Sequence, residues 1–340
     1  MESAPLASRL TGKVVGKWFV KEKRIKDAID NSGAFSSGYT VENDAGDLAF
    51  MKSFNYVYAF KIAGGSADAL KFMLDNYTYE RDLLEFCSEH KMRRIVTAID
   101  SGEYMEPGEL IPVPYLVFEL AQGNLPKYQE MKHPDLFWKL KAFHGALVGL
   151  SQLHKAKIAH QDIKPSNILI FGNEVSKIAD LGCATQIGNE SEWNGGDQRY
   201  LPVELHYRYI SPDWETRRFG ADFFMIGGLL TYLLVGLNFL AIMMGKVPHD
   251  LQPFKFGGSF EQAKSYLLKA YYEAIEEIEE IIHPGIKDEV VEILKEMVNP
   301  IPENRGNSQS LTIVKHRQFS LEKYISIVDR ISKKVFWGKI

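Results

Sequence analysis

The chain has 340 residues, with 40 Lys and Arg against 44 Asp and Glu, a net charge of −4, and 45% hydrophobic and 25% charged residues. That balance sits near the globular average and excludes wholesale disorder, collagen-like repeats and coiled coil; it also lacks the basic field a general nucleic-acid binder needs. The two cysteines, Cys87 and Cys183, exclude a disulfide framework and a cysteine-based zinc site, and they fit a reducing, cytoplasmic setting.

Such a length fits two domains or one two-lobed unit. The start, Met1-Glu2-Ser3-Ala4-Pro5, has no basic residues leading into an apolar run, so a cleaved secretion signal is not expected. The first third reads as strands: Trp18-Phe19-Val20, then Gly38-Tyr39-Thr40-Val41, then Leu48-Ala49-Phe50-Met51-Lys52. Asp44-Ala45-Gly46 supplies turn chemistry between the last two and makes them a hairpin whose second strand ends in a lysine. Leu70, Met73, Leu74, Tyr77, Leu84 and Phe86 predict a helix over 67–88. Tyr115-Leu116-Val117-Phe118 reads as a buried strand running into a linker at Gln122-Gly123-Asn124.

Beyond about residue 125 the pattern turns helical, with Phe137, Leu140, Leu147 and Leu150 at helix-like intervals. Two short strands interrupt it, 168–171 and 175–178, split by a turn at Gly172-Asn173. Residues 183–216 read as loop. From Phe223 to Met244, 22 residues carry no charge, which is long enough to cross a bilayer. Asp222 abuts that run, Gly227-Gly228 and Asn238 interrupt it, and no basic cluster flanks it closely on one side, so a buried helix followed by a short apolar turn is expected instead. Ile275, Ile278 and Ile282 form one stripe, with Glu273, Glu276, Glu277, Glu279 and Glu280 as its solvated face. The last segment holds seven Lys and Arg, with Ile325, Val328 and Ile331 three apart. A basic amphipathic helix of this kind either meets a membrane surface or partner, or packs back on the large lobe, and the second is expected. The simplest organisation is α+β, two-lobed: an N-terminal extension (1–14), a small β-rich lobe (15–121), a larger α-rich lobe (122–310) and a basic helix or tail (311–340).

The stretch that carries chemistry is His160-Gln161-Asp162-Ile163-Lys164-Pro165-Ser166-Asn167, followed by Asp180-Leu181-Gly182 at the end of the second short strand. A carboxylate with a carboxamide is a hard-oxygen set suited to Mg²⁺, which keeps phosphates and waters in its shell. A second carboxylate can accept a proton from a hydroxyl nucleophile, and a lysine between them can neutralise a transferring phosphoryl group. Taken singly, Asp and Asn are also ordinary turn residues. The histidines show no metal-ligand spacing; His144 and His154 read as helix-surface or packing residues, and Cys183 as a small buried residue.

Together with Lys52 at a strand end, these motifs resemble the protein kinase signature set in family order, over roughly residues 15–310. The chain is similar to a divergent, bacterial-type Ser/Thr protein kinase. That resemblance implies a two-lobed kinase fold and transfer of the γ-phosphoryl group of ATP, with Mg²⁺, to a protein substrate. It implies Asp162 as catalytic base, Lys164 as the lysine at the transferring phosphate, and Asn167 and Asp180 as metal ligands. Lys52 would hold the α- and β-phosphates and pair with a helix glutamate, Glu80 or, as runner-up, Glu85. The gap of 28 residues from Lys52 to Glu80 implies an insertion around 54–66. Phe118 would guard the back of the adenine pocket, with the Glu119 carbonyl and Ala121 amide bonding the base. Tyr200 to Glu204 resembles the end of an activation segment, with Arg305 expected to pair with Glu204. Asp222 and Gly227 match the start of the lobe's central helix.

Four departures from the family pattern matter. The phosphate loop keeps Gly33 and Gly38 but lacks the full glycine set, which weakens packing over the nucleotide. Gln161 replaces an arginine that pairs with a phosphorylated activation loop in many kinases, so activity is expected not to require phosphorylation of Thr185 or Ser191. Asp197 stands where a threonine is usual, although Lys164 still favours Ser/Thr over Tyr. The segment ends Pro-Val-Glu rather than Ala-Pro-Glu. Apart from these four, Leu181 in place of a phenylalanine is a conservative apolar change. Alternatives on the same fold are a pseudokinase binding module and a small-molecule phosphotransferase. Neither nucleic-acid binding nor stable membrane insertion is expected.

Overall fold

The computed structural model describes residues 5–24, 36–56, 66–188, 196–307 and 318–339. The chain divides into two compact units, Met1–Gln122 with Ala179–Gly182, and Gly123–Ile178 with Cys183–Ile340.

The first unit contains β1 (Val14–Val15), β2 (Trp18–Lys23), β3 (Ser36–Glu42), β4 (Leu48–Phe54), α1 (Ser66–Glu89), β5 (Ala98–Tyr104) and β6 (Val113–Glu119). Its strands form a six-stranded sheet in the order β1-β2-β3-β4-β6-β5, antiparallel throughout. The hairpin turn between β3 and β4 is built as its residues dictate. The side chain of Asn43 accepts the amides of Ala45 and Asp47, and Gly46 takes φ +84°, a region that favours glycine. Period-2 alternation sends Tyr39, Val41, Ala49, Met51 and Val117 to one face, where they pack into a core with Leu6, Ala7 and Leu10. From the stretch 1–14, expected as an extension ahead of the lobe, Leu6, Ala7 and Leu10 thus enter its core. The Ala7 carbonyl accepts from the Tyr39 hydroxyl at 2.9 Å and the Ser53 hydroxyl at 2.8 Å.

On α1 the buried positions Ala69, Met73, Tyr77, Glu80, Leu84 and Cys87 recur every three or four residues, one helical stripe with a carboxylate in its middle. Strand β5 escaped the sequence reading because it is an edge strand with no fully buried residue, so it carries no apolar alternation.

The second unit contains β7 (Gly123–Asn124), α2 (Leu125–Lys132), α3 (Leu136–Lys155), β8 (Ile158–Ala159), β9 (Ile168–Phe171), β10 (Val175–Ile178), β11 (Thr185–Gln186), α4 (Val203–His206), α5 (Trp214–Val235), α6 (Phe239–Met244), α7 (Phe260–Ile281), α8 (Lys287–Met297) and α9 (Glu322–Phe336). Side chains cap the helix starts: Asn124, Asp135, Asp213 and Asn238 each accept an amide three residues on, and Ser259 forms a capping box with Gln262.

Residues 183–216, expected as loop, hold β11 paired to β8, the single turn of α4 and the start of α5. These pieces are too short to show a period of their own. The uncharged run 223–244 is two helices, not one. Helix α5 starts at Trp214 and stops at Gly236, which takes φ +91°, and Asn238 caps α6. By length and composition α5 could cross a membrane, but 83% of its most apolar window is buried inside the protein. Helix α9 packs on α3 through Phe137 and Phe336. It buries Tyr324, Val328 and Ile331, and Lys323 and the Tyr324 hydroxyl bond Glu296 on α8. The basic helix therefore lies back on its own unit. Its buried stripe is 324, 328 and 331, with Ile325 only partly covered.

Candidate functional site

In the first unit, β4 and α1 meet at a partly buried charge cluster. Lys52 Nζ lies 2.7 and 2.9 Å from the two oxygens of Glu80 and 3.1 Å from Asp180 Oδ1. Glu80 reaches Lys52 because it sits on the buried stripe of α1; Glu85 is exposed and takes no part. Burial alone would depress the Lys52 ammonium, but the charges of Asp180 and Glu80 outweigh it and hold its pKa above the ordinary lysine value. Burial lifts the Glu80 carboxyl, and the Lys52 charge opposes that lift. Asp180 has φ +66°, a left-handed conformation that a non-glycine residue occupies at a cost of about 1–3 kcal/mol, the kind of strain that gathers at functional sites.

Gly38 lies opposite Lys52 in the β3–β4 ladder. A Cβ there would stand 2.7 Å from the Phe50 ring, so this glycine is required by a neighbour in addition to any ligand. Phe50 shares the face of Lys52, two residues away on β4, and its ring lies 6.3 Å from that of Phe118. Sequence reasoning passed over Phe50, although the period of the strand places it beside Lys52. Glu119 ends β6 opposite Ala49, and Ala121 follows half-buried. Gly33, Ser191 and most of the insertion expected at 54–66 lie outside the described residues.

In the second unit, the loop between β8 and β9 gathers Asp162, Lys164 and Asn167, all nearly fully buried. The Asn167 amide donates to the Asp162 carbonyl at 2.8 Å and to Asp162 Oδ2 at 2.9 Å. Lys164 Nζ stands 3.0 Å from the same Oδ2, and the Asp197 amide donates to Asp162 Oδ1 at 3.0 Å. With its NH₂ spent on Asp162, Asn167 keeps its amide oxygen as the atom to offer a cation. Asp197 is ion-paired with Arg199. Burial would raise the Asp197 carboxyl, but bonds from Arg199 and the charge of Lys164 hold it below the ordinary carboxylate range.

Asp222 on α5 holds this loop from beneath, a role its motif match alone did not disclose. Fully buried, its carboxylate accepts the amides of His160 at 2.8 Å and Gln161 at 2.7 Å, and lies 2.9 Å from His154 Nε2. His154 is accordingly a packing residue, stacked on Phe219. The support lets Gln161 adopt φ +64°. Further along, Glu204 and Arg305 form a bidentate buried pair at 2.7 and 2.5 Å, as the motif order implied.

As chemistry, the first unit presents a partly buried cation beside a hard-oxygen ligand, and the second a fixed carboxylate with a lysine and an amide oxygen. Each set has the chemistry to meet phosphate oxygens or a hard cation. Among the described residues no cluster of three or more His, Cys, Asp or Glu could hold a metal.

The protein kinase domain profile matches residues 45–319, most of the chain, and begins beyond the Gly33–Gly38 segment. The chain is similar to the receptor protein-tyrosine kinase CEPR2 of Arabidopsis thaliana, 36% identical over 138 residues, which are 36% of this chain and 13% of that protein. It is also similar to the serine/threonine-protein kinase PLK4 of Drosophila virilis, 36% identical over 129 residues, covering 36% of this chain and 16% of that protein. A Wee1-like protein kinase of Arabidopsis thaliana is 34% identical over 152 residues, covering 41% of this chain and 29% of its own. The chain spans less than a third of the length of these curated relatives. They are eukaryotic proteins and give no support to the bacterial type expected from the sequence.

Proposed function

This chain belongs to the protein kinase family, and from that membership we propose that it transfers the γ-phosphoryl group of ATP, with Mg²⁺, to a serine or threonine hydroxyl of a protein. The observation that carries the reading is Asp162, a carboxylate held by Lys164, Asn167 and the Asp197 amide on a loop clamped by Asp222. A carboxylate so fixed is oriented to accept the proton of an acceptor hydroxyl.

Lys52, kept cationic by Glu80 and Asp180, would bind phosphate oxygens, and Asp180 with Asn167 would hold the metal. Bound Mg-ATP supplies the group to be transferred and the charge that neutralises its oxygens. The protein's share is positioning and electrostatics, without a covalent intermediate. Lys164, two residues after the base, favours an aliphatic hydroxyl over a phenol. The absence of a disulfide among the described residues suits a reducing compartment such as the cytoplasm.

The test is transfer from γ-labelled ATP to added protein acceptors, with Asp162→Asn alongside. Label on serine or threonine is expected, falling by about 10²–10⁴-fold in the variant, the range of general-base catalysis. Equal labelling by both proteins would remove Asp162 from the chemistry. No labelling by the wild type, with nucleotide still bound, would make the chain a binding module.

A further inference from the structure

We infer that Gln161 and Arg218 form a positioning couple that fixes the chain just after Asp180 with no phosphorylated residue; its consequence for rate rests on the phosphotransfer reading above. The path of the chain shows why this point matters. Residues 179–182, which carry Asp180, belong to the first unit, while the chain on either side belongs to the second. The excursion leaves at Ile178, paired with Ile168 in the β9–β10 ladder, and returns at Cys183. The side chain of Gln161 grips the return. Its Nε2 donates at 2.8 Å to the Cys183 carbonyl and at 2.8 Å to Thr185 Oγ1. Its Oε1 accepts from the guanidinium of Arg218 on α5.

Gln161 is 2% and Arg218 1% exposed, so these are hydrogen bonds in a dry site, where an unmet group is expensive. One neutral amide serves as acceptor for the guanidinium and as double donor to the returning chain, which neither an arginine nor a carboxylate can do. The same stretch is held again by β11 on β8, two residues before His160.

Two consequences follow for control of the site. The Thr185 hydroxyl is buried and already bonded, so a phosphate there would bring close to two negative charges into a filled, dry position. Thr185 is therefore a structural partner and not a phospho-acceptor. An arginine at 161, the family's usual residue, would set a second guanidinium against Arg218 with no water to screen them. The family residue is thus the wrong one for this chain unless Arg218 changes with it.

The experiment compares the full chain with Gln161→Glu. Glutamate keeps the shape and the acceptor for Arg218 but turns both donors into acceptors facing the Cys183 carbonyl. Expected are a single cooperative thermal transition showing the variant folded, faster hydrogen exchange in the peptide spanning 183–188 alone, KM for ATP nearly unchanged, and kcat down by about 10²-fold, the scale of a small misplacement of reacting groups. Gln161→Arg should lose transfer, and Gln161→Arg with Arg218→Gln should recover it. Phosphatase treatment, with intact mass confirming no phosphate, should leave the wild-type rate unchanged. Unchanged exchange in Gln161→Glu, an unchanged kcat, or loss of rate on dephosphorylation would overturn the couple. A wild type that transfers no phosphate while its variant shows the exchange response would instead sink the phosphotransfer reading and leave the couple standing.

Discussion

At the scale of single residues, the choice between two glutamates turns on one turn of helix. Glu80 lies on the buried stripe of α1 and meets Lys52, whereas Glu85 faces solvent. Glu80→Gln is expected to cut phosphate transfer by about 10²-fold, the scale of losing one electrostatic positioning contact, while Glu85→Gln changes nothing. Steady-state rates of the two variants side by side check this, and equal effects would contradict it. Glu80 was legible because motif order and helical period coincide on it. Phe50 and Arg218 were not. A phenylalanine in a strand reads as ordinary β propensity, and an arginine at the start of an apolar helix reads as a solvated end. Only the fold shows that one flanks Lys52 and that the other is buried against Gln161.

Among the elements, α1 couples the charge cluster to an apolar stripe that ends in Cys87. Burial pushes the Cys87 thiol up to about 12 from an ordinary 9.0. The sign follows from proton counts: above pH 9 the unfolded chain has lost this proton and the folded chain has kept it. The contribution is thus complete below pH 9 and lost as pH rises toward 12, at about 1.4 kcal/mol per unit. Denaturant titrations across that range should show a shallower alkaline decline in Cys87→Ala than in wild type; parallel declines would mean the thiol ionises in the fold. Elements with a strong period, such as β3, β4 and α1, were read from sequence to within about two residues. The edge strand β5 and the short pieces β11 and α4 were invisible because tertiary contacts, not their own pattern, hold them. The start of α5 was misplaced because charged Glu215, Arg217 and Arg218 mask a helix whose cap, Asp213, marks its true beginning.

On the scale of the whole molecule, sequence order said more about long-range pairing than about boundaries. Glu204 and Arg305, 101 residues apart, pair as the motif order implied, with exposures of 5% and 0%. Arg305→Ala leaves the Glu204 charge buried without its partner and should cost about 3–5 kcal/mol in urea unfolding. A loss below about 1 kcal/mol, the value of an exposed pair, would contradict that assignment. The first unit takes in residues 5–13 and the excursion 179–182, neither of which composition marks as belonging to it. The proposed function asks one Mg-ATP to draw on both units, on Lys52, Glu80 and Asp180 of the first and on Asp162, Lys164 and Asn167 of the second. Titration calorimetry of Mg-ATP into wild type, Lys52→Ala and Asn167→Ala tests this most directly. One binding event per chain, weakened about tenfold or more in each variant, equal to at least 1.4 kcal/mol, is the predicted result. Two separate events, or an affinity that either variant leaves untouched, would contradict it.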